Sequence, residues 1–366
     1  MEAAANLGAK KMELFYKFAL PLSRPAIAAS MALVIMETLA DFGVVHYLGV
    51  DSLSVGIYKA WFGLEDINSS ARLASILFLL AFLIVFLEKF LRRKEGEKYV
   101  AYGTLNRSEL FKNSIFSPMV FLLILLLLSF FIPLLWLISS VIKSNSYNNL
   151  DILFAFLNTL KLGFLGSLLV VISALLLAFS KRSMKRPLSY IFNMAKIGYA
   201  APGIVIAIGI IIPIIFIDKK INTFFQYFNL EVGLILSSSM MILLLAYLVR
   251  FFSVAYNPIE AAYEKISKKI DFISFNLGAS NKRLFLKIHI PMISLSILIA
   301  YLLVFIDILK ELPATLILRP FNFNTLSITT FEYASSEQLM MAAKPALLIT
   351  LLAAMPLIFV HKKLNK

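Results

Sequence analysis

Seven stretches of this chain contain no Asp, Glu, Lys, Arg or His: residues 73–87, 113–142, 162–180, 197–217, 232–249, 290–306 and 345–360. A membrane-spanning helix takes about 20 apolar residues, and Lys or Arg at its ends can snorkel to the interface and lengthen a shorter run. An eighth stretch, 25–49, is apolar around two acids, Glu37 and Asp41. The runs are too long for membrane β-strands and lack their alternation. Composition agrees, with 60% hydrophobic and 15% charged residues and a mean hydropathy of +0.86, against about 25% charged in a soluble domain. The expected fold is all-α, a polytopic bundle of about eight transmembrane helices.

The net charge of +14 would suggest a nucleic-acid partner if it were clustered. It is instead distributed by topology. With residues 1–24 taken as cytoplasmic and sides alternating after each span, the segments 1–24, 88–112, 181–196, 250–290 and 361–366 hold 26 of the 35 Lys and Arg. The opposite orientation would violate the positive-inside rule. Basic runs such as LRRKEGEK (91–98) and KRSMKR (181–186) then read as anchors to an anionic inner leaflet, and no nucleic-acid partner is expected. The absence of cysteine excludes disulfides, thiolate catalysis and cysteine-held metal centres.

A repeat organises the chain. NLGAKKMELFYKFALP (6–21) aligns without gaps to NLGASNKRLFLKIHIP (276–291), with eight identities in sixteen positions. These include Asn276, Leu277, Gly278 and Pro291 in the second copy, matching Asn6, Leu7, Gly8 and Pro21 in the first. Each copy lies on the cytoplasmic side and is followed by a span carrying two acids, so the repeat is parallel, as in transporters built from equivalent halves. Gly8 or Gly278 permits a tight turn, and Pro21 or Pro291, thirteen residues on, can open the next membrane helix. Four spans precede the second copy and none precedes the first. The chain therefore reads as the tail of one half (1–91), a charged linker (92–116) and a complete second half of six spans (117–366). The remainder of a first half is expected ahead of Glu2 or on another chain.

The segment EAAANLG, with ALP closing the loop, resembles the EAA loop of binding-protein-dependent ABC importer permeases. The match is full at Glu2, Ala3, Ala4 and Gly8; in the second copy Phe272, Ile273 and Ser274 stand in place of Glu-Ala-Ala, although Gly278 and Pro291 remain. A literal EAA at 260–262 has no Gly at the required distance. The strings ETLADFGVVHYLGV (37–50), GYAAPGIVIAIG (198–209), YLVRFFSVAYNPIEA (247–261) and KELPATLILRPFNFNTLSI (310–328) are similar to the fused two-half permeases of ferric iron importers. That resemblance implies a multi-pass protein of the bacterial inner membrane, a periplasmic ferric-iron-binding protein that docks outside, and a cytoplasmic ABC ATPase dimer gripping the loop helices. Related permeases for thiamine, sulfate or polyamines share the loop motif. The chain has no GxxxxGK[ST] phosphate loop, so it binds no ATP in that manner; ATP is the partner's, and this chain is expected to bind no cofactor.

Competing classes find less support. An intramembrane enzyme would need a nucleophile and base, and neither GxSxG nor HExxH occurs. A secondary transporter would have no use for the loops. The three histidines, His46, His289 and His361, fall on different sides and assign no metal site; His289 and His361 read as interfacial. SSSM (237–240) reads as helix-packing glue. Pro202 and Gly203 mark a bend beside the translocation path. Glu37 and Asp41, four apart, share a helix face, and the repeat maps them onto Asp307 and Glu311. Two acidic pairs facing each other across a pseudo-two-fold axis would line that path, since a carboxylate in lipid costs about 2.5–3.5 kcal/mol.

Overall fold

The computed structural model describes residues 11–93, 116–144, 149–183, 197–229 and 233–364, and these are helical, with no strand among them. The long helices are α1 (Leu20–Ala40), α2 (Ile67–Arg93), α3 (Met119–Lys143), α4 (Asn149–Ser183), α5 (Gly203–Gln226), α6 (Met240–Lys265), α7 (Lys268–Asn276), α8 (Ser294–Lys310) and α9 (Leu339–Leu364). Five are long and apolar enough to cross a bilayer, and seven spans result if two bent pairs each count once. The eight expected spans thus hold but for α5, where Asp218, Lys219 and Lys220 sit inside the helix and dilute its apolar run.

The core is α4, α6 and α8, packed against one another. Small buried residues, among them Ala155, Ser167 and Ala174 on α4, Ala246 and Ala255 on α6, and Ala300 on α8, let the backbones approach, as suits helices that gain nothing from burying leucine away from lipid. By contrast α3 has none of its apolar window buried. In water that would be untenable; in a bilayer it is the lipid-facing surface.

The repeat extends far beyond its sixteen recognisable residues. A π-helical segment, Leu14–Ala19, recurs at Leu284–His289 with the same offset. Helices α1 and α8 both end on an acid in extended backbone, Asp41 (φ −67°, ψ 129°) and Glu311 (φ −69°, ψ 117°). A cap residue's carbonyl has no intrahelical donor, and each half supplies the same remedy: the Ser54 hydroxyl donates to Asp41 O at 2.8 Å, and that of Ser327 to Glu311 O at 3.1 Å. Ser52 and Thr325 then cap the helices that follow, each accepting from the backbone N–H three residues on. Between these landmarks the second copy carries three extra residues. Its membrane helix α9 is the counterpart of α2.

Several boundaries differ from expectation. Helix α6 runs to Lys265, well past the 232–249 expected, because the Arg250 side chain is largely enclosed by the protein and does not end the span. The 197–217 span is interrupted: a 3₁₀ turn, Ile197–Ala200, is followed by Pro202, which caps a helix that starts at Gly203, so Pro202 and Gly203 mark a helix start where a bend was expected. Pro291 lies in a short turn, Ile290–Met292, and does not open the membrane helix; the chain bends by 76° between Asn281–Met292 and Ser294–Lys310, at Ile293. Ser237–Ser239 form a capping turn in place of packing glue. The buried Asp218 carboxylate accepts from Leu236 N at 2.9 Å and Ser237 N at 2.7 Å, and Ser239 caps α6. The expected linker falls largely outside the described residues.

Candidate functional site

A cavity of about 800 Å³ opens where the end of α1 meets the end of α8, lined by Glu37, Asp41, Arg250, Lys310, Glu311 and Phe331 with their neighbours. Glu311 is 5% exposed. Its Oε2 lies 3.0 Å from Arg250 Nε in an ion pair, and its Oε1 accepts from Ala314 N at 3.2 Å, capping the short helix Pro313–Leu318. Just behind, the fully buried Tyr247 hydroxyl meets Thr315 Oγ1 at 2.5 Å. Gly203 lies flush against the pair, and a Cβ there would collide with both the Glu311 carboxylate and the Arg250 guanidinium. The start of α5 therefore lies flush against the ion pair, and a side chain there would displace the tips of both partners.

The expected symmetry of the four acids is partly realised. Glu37, Asp41 and Glu311 do line one cavity. Asp307 does not; it turns to Lys310, with Nζ 2.9 Å from Oδ1. The equivalent cap acids also differ in charge balance, since Glu311 faces Arg250 while Asp41 has no ion-pair partner among the described residues. No group of three or more metal-ligating side chains is gathered among the described residues; the carboxylates border the cavity without converging. Arg250 escaped the sequence reading because it follows an apolar run directly and was counted with the cytoplasmic charges. Its place inside YLVRFFSVAYNPIEA (247–261), a string similar to the ferric iron permeases, is the available signal.

On the loop side, Glu2, Ala3, Ala4 and Gly8 lie outside the described residues, and Pro21 sits at the start of α1. In the second copy Asn276 ends α7, Leu277 caps it, and Gly278 turns the chain at φ +78°. Helix α7 carries an exposed apolar face, with Phe272 67%, Ile273 58% and Leu277 82% exposed. His289, expected at an interface, is fully buried. The literal EAA at 260–262 is inside α6, where Glu260 pairs with Lys181 at 2.6 Å.

Residues 1–95 match the family described as binding-protein-dependent transport system inner membrane component. Over 371 aligned residues the chain is 27% identical to the Fe(3+)-transport system permease protein FbpB 2 of Haemophilus influenzae, covering 99% of this chain and 70% of that protein. Residues 1–95 belong to that family of permease components. The permease is a multi-pass inner-membrane protein and a transport subunit, not an enzyme, and its class works with a periplasmic binding protein and a cytoplasmic ATPase. The duplicated cap at Asp41 and Glu311 is then the meeting point of the permease's two repeats.

Proposed function

We propose that this permease carries ferric iron, handed over by a periplasmic ferric-iron-binding protein, into the cytoplasm, driven by an ABC ATPase dimer seated on the loops around Gly8 and Gly278. The observation that carries the substrate is the alignment of 99% of the chain with a protein named for Fe(3+) transport. The acid-lined cavity supports it, because carboxylates are hard ligands suited to a hard cation and charged side chains inside a membrane protein usually face a path or a partner. Glu37 and Asp41 are carboxylates on the cavity wall, and Arg250 pairs with Glu311. The exposed apolar face of α7 is the surface the ATPase would cover, with Phe272 and Ile273 in the place of the glutamate and first alanine of the usual loop. Residues 1–91 act as the tail of one half, 92–116 as a linker and 117–366 as the second half.

Uptake of radiolabelled ferric iron by a deletion strain and by the same strain complemented with this gene tests the substrate. Restored iron uptake is expected; unchanged iron uptake with lost thiamine uptake would move the assignment to that substrate. In the complemented strain, E37Q/D41N should slow iron uptake at unchanged protein abundance. A normal rate would make the two acids structural.

A further inference from the structure

We propose that Arg182, Asp271 and His289 form the joint through which movement of the loop helix α7 reaches the membrane helices. The inference rests on the transport reading above. Arg182, near the end of α4, turns its guanidinium to two tasks. It grips Asp271 in the first turn of α7, with Nε 2.7 Å from Oδ2 and Nη2 3.0 Å from Oδ1. It also donates to the carbonyls of Tyr263 (2.9 Å), Ile266 (3.0 Å) and Ser267 (3.1 Å). The first two are at the end of α6, where a helix leaves carbonyls without donors. One side chain therefore ties α4 to α6 and to α7.

Asp271 passes the connection on. His289 Nε2 lies 3.1 Å from its Oδ1, and since an ionised carboxylate only accepts, the Nε2–H donates. His289 ends the π-helical segment Leu284–His289, immediately ahead of the bend into α8. Its ring packs edge-on to Phe179 of α4 and Tyr263 of α6, at 5.7 and 5.3 Å between centroids. Burial alone would raise the Asp271 carboxyl, but hydrogen bonds from Arg182 and His289 outweigh it and hold the group below its ordinary range. The bidentate fork and the buried imidazole leave α7 no soft hinge against α4, α6 or α8. A push on α7 must therefore move all three helices or break the joint.

The first copy cannot build this arm. Its π-helical segment ends at Ala19, the repeat equivalent of His289, and a methyl group offers no hydrogen bond. The two loops thus differ at this contact.

The test uses the permease reconstituted in liposomes with its ATPase and binding protein. D271N keeps the shape and removes the charge, whereas H289A copies the first half's residue and spares the Arg182–Asp271 pair. Iron taken up per ATP hydrolysed should fall about fivefold or more in D271N, the low end of a typical coupling between sites, and measurably in H289A, with assembly of the complex and ATPase turnover retained. A merely structural role would lower abundance and leave that ratio at the wild-type value, and an unchanged ratio in H289A overturns the proposal even if D271N fails to assemble. A wild-type complex that hydrolyses ATP without moving iron would instead count against the transport reading, and the ATPase response to the binding protein in the same variants would then report on the joint.

Discussion

Replacing Glu311 by Gln is the most informative single perturbation of the cavity. Gln keeps the Oε1 acceptor for Ala314 N, so the change removes charge while preserving the cap. At the 3.0 Å separation of the pair, with an effective dielectric of about 20, the attraction is about 5.5 kcal/mol. Leaving one partner of a buried pair alone costs about 3–5 kcal/mol. With Arg250 13% and Glu311 5% exposed at the side chain, solvent offers little relief, so the full range applies. Arg250→Met should cost a similar amount, because it strands the carboxylate. The double variant should be far less destabilised than the two losses added together, since no uncompensated charge remains. Unfolding of the purified permease in a titration of lipid micelles with SDS measures each term. Additive losses would mean that the pair does not interact as a unit, and the assignment of Arg250 as the counter-charge of Glu311 would fail.

Further outcomes follow from other positions. Gly203→Ala should destabilise by about 1–3 kcal/mol and impair uptake, because the methyl meets the ion pair, whereas Gly209→Ala, with open space around it, should leave both unchanged in the same assays. Gly278→Ala should cost about 1–2 kcal/mol from its positive φ alone, since nothing lies within 4 Å of the new carbon. A larger loss of ATPase binding for Gly278→Phe than for Gly278→Ala, measured by co-purification, would show that this space belongs to the partner. The folded-state value of Asp271 is depressed, so its contribution is complete above the ordinary value of 3.8 and is lost as pH falls through the lower folded value. The stability that Asp271 gives the wild type over D271N should therefore not shrink above pH 3.8 and should shrink in stronger acid, as Asp271 takes up a proton.

The helical class, the membrane setting, the parallel repeat and the loop turn at Gly278 were all legible in the order of residues. Each depends on local composition or short spacing: charge-free runs must avoid water, and a gapless match of sixteen positions survives without any knowledge of packing. The acids at Asp41 and Glu311 could likewise be paired by offset alone. Which of them would be neutralised, and by what, depends on contacts between residues far apart in the chain. Arg250, more than fifty residues before Glu311, looked like the cytoplasmic end of a span until packing carried α6 past it and turned the guanidinium inward. Asp307, the same distance from its repeat mate as Glu311, was instead taken by Lys310 one turn away. The hydroxyls of Ser54 and Ser327, which hold the same carbonyl in both halves across a three-residue insertion, left no gapless trace for alignment to find. Spacing alone could not bring Arg182, Asp271 and His289 together, because what joins them is the convergence of three helix ends on a buried charge that has to be satisfied.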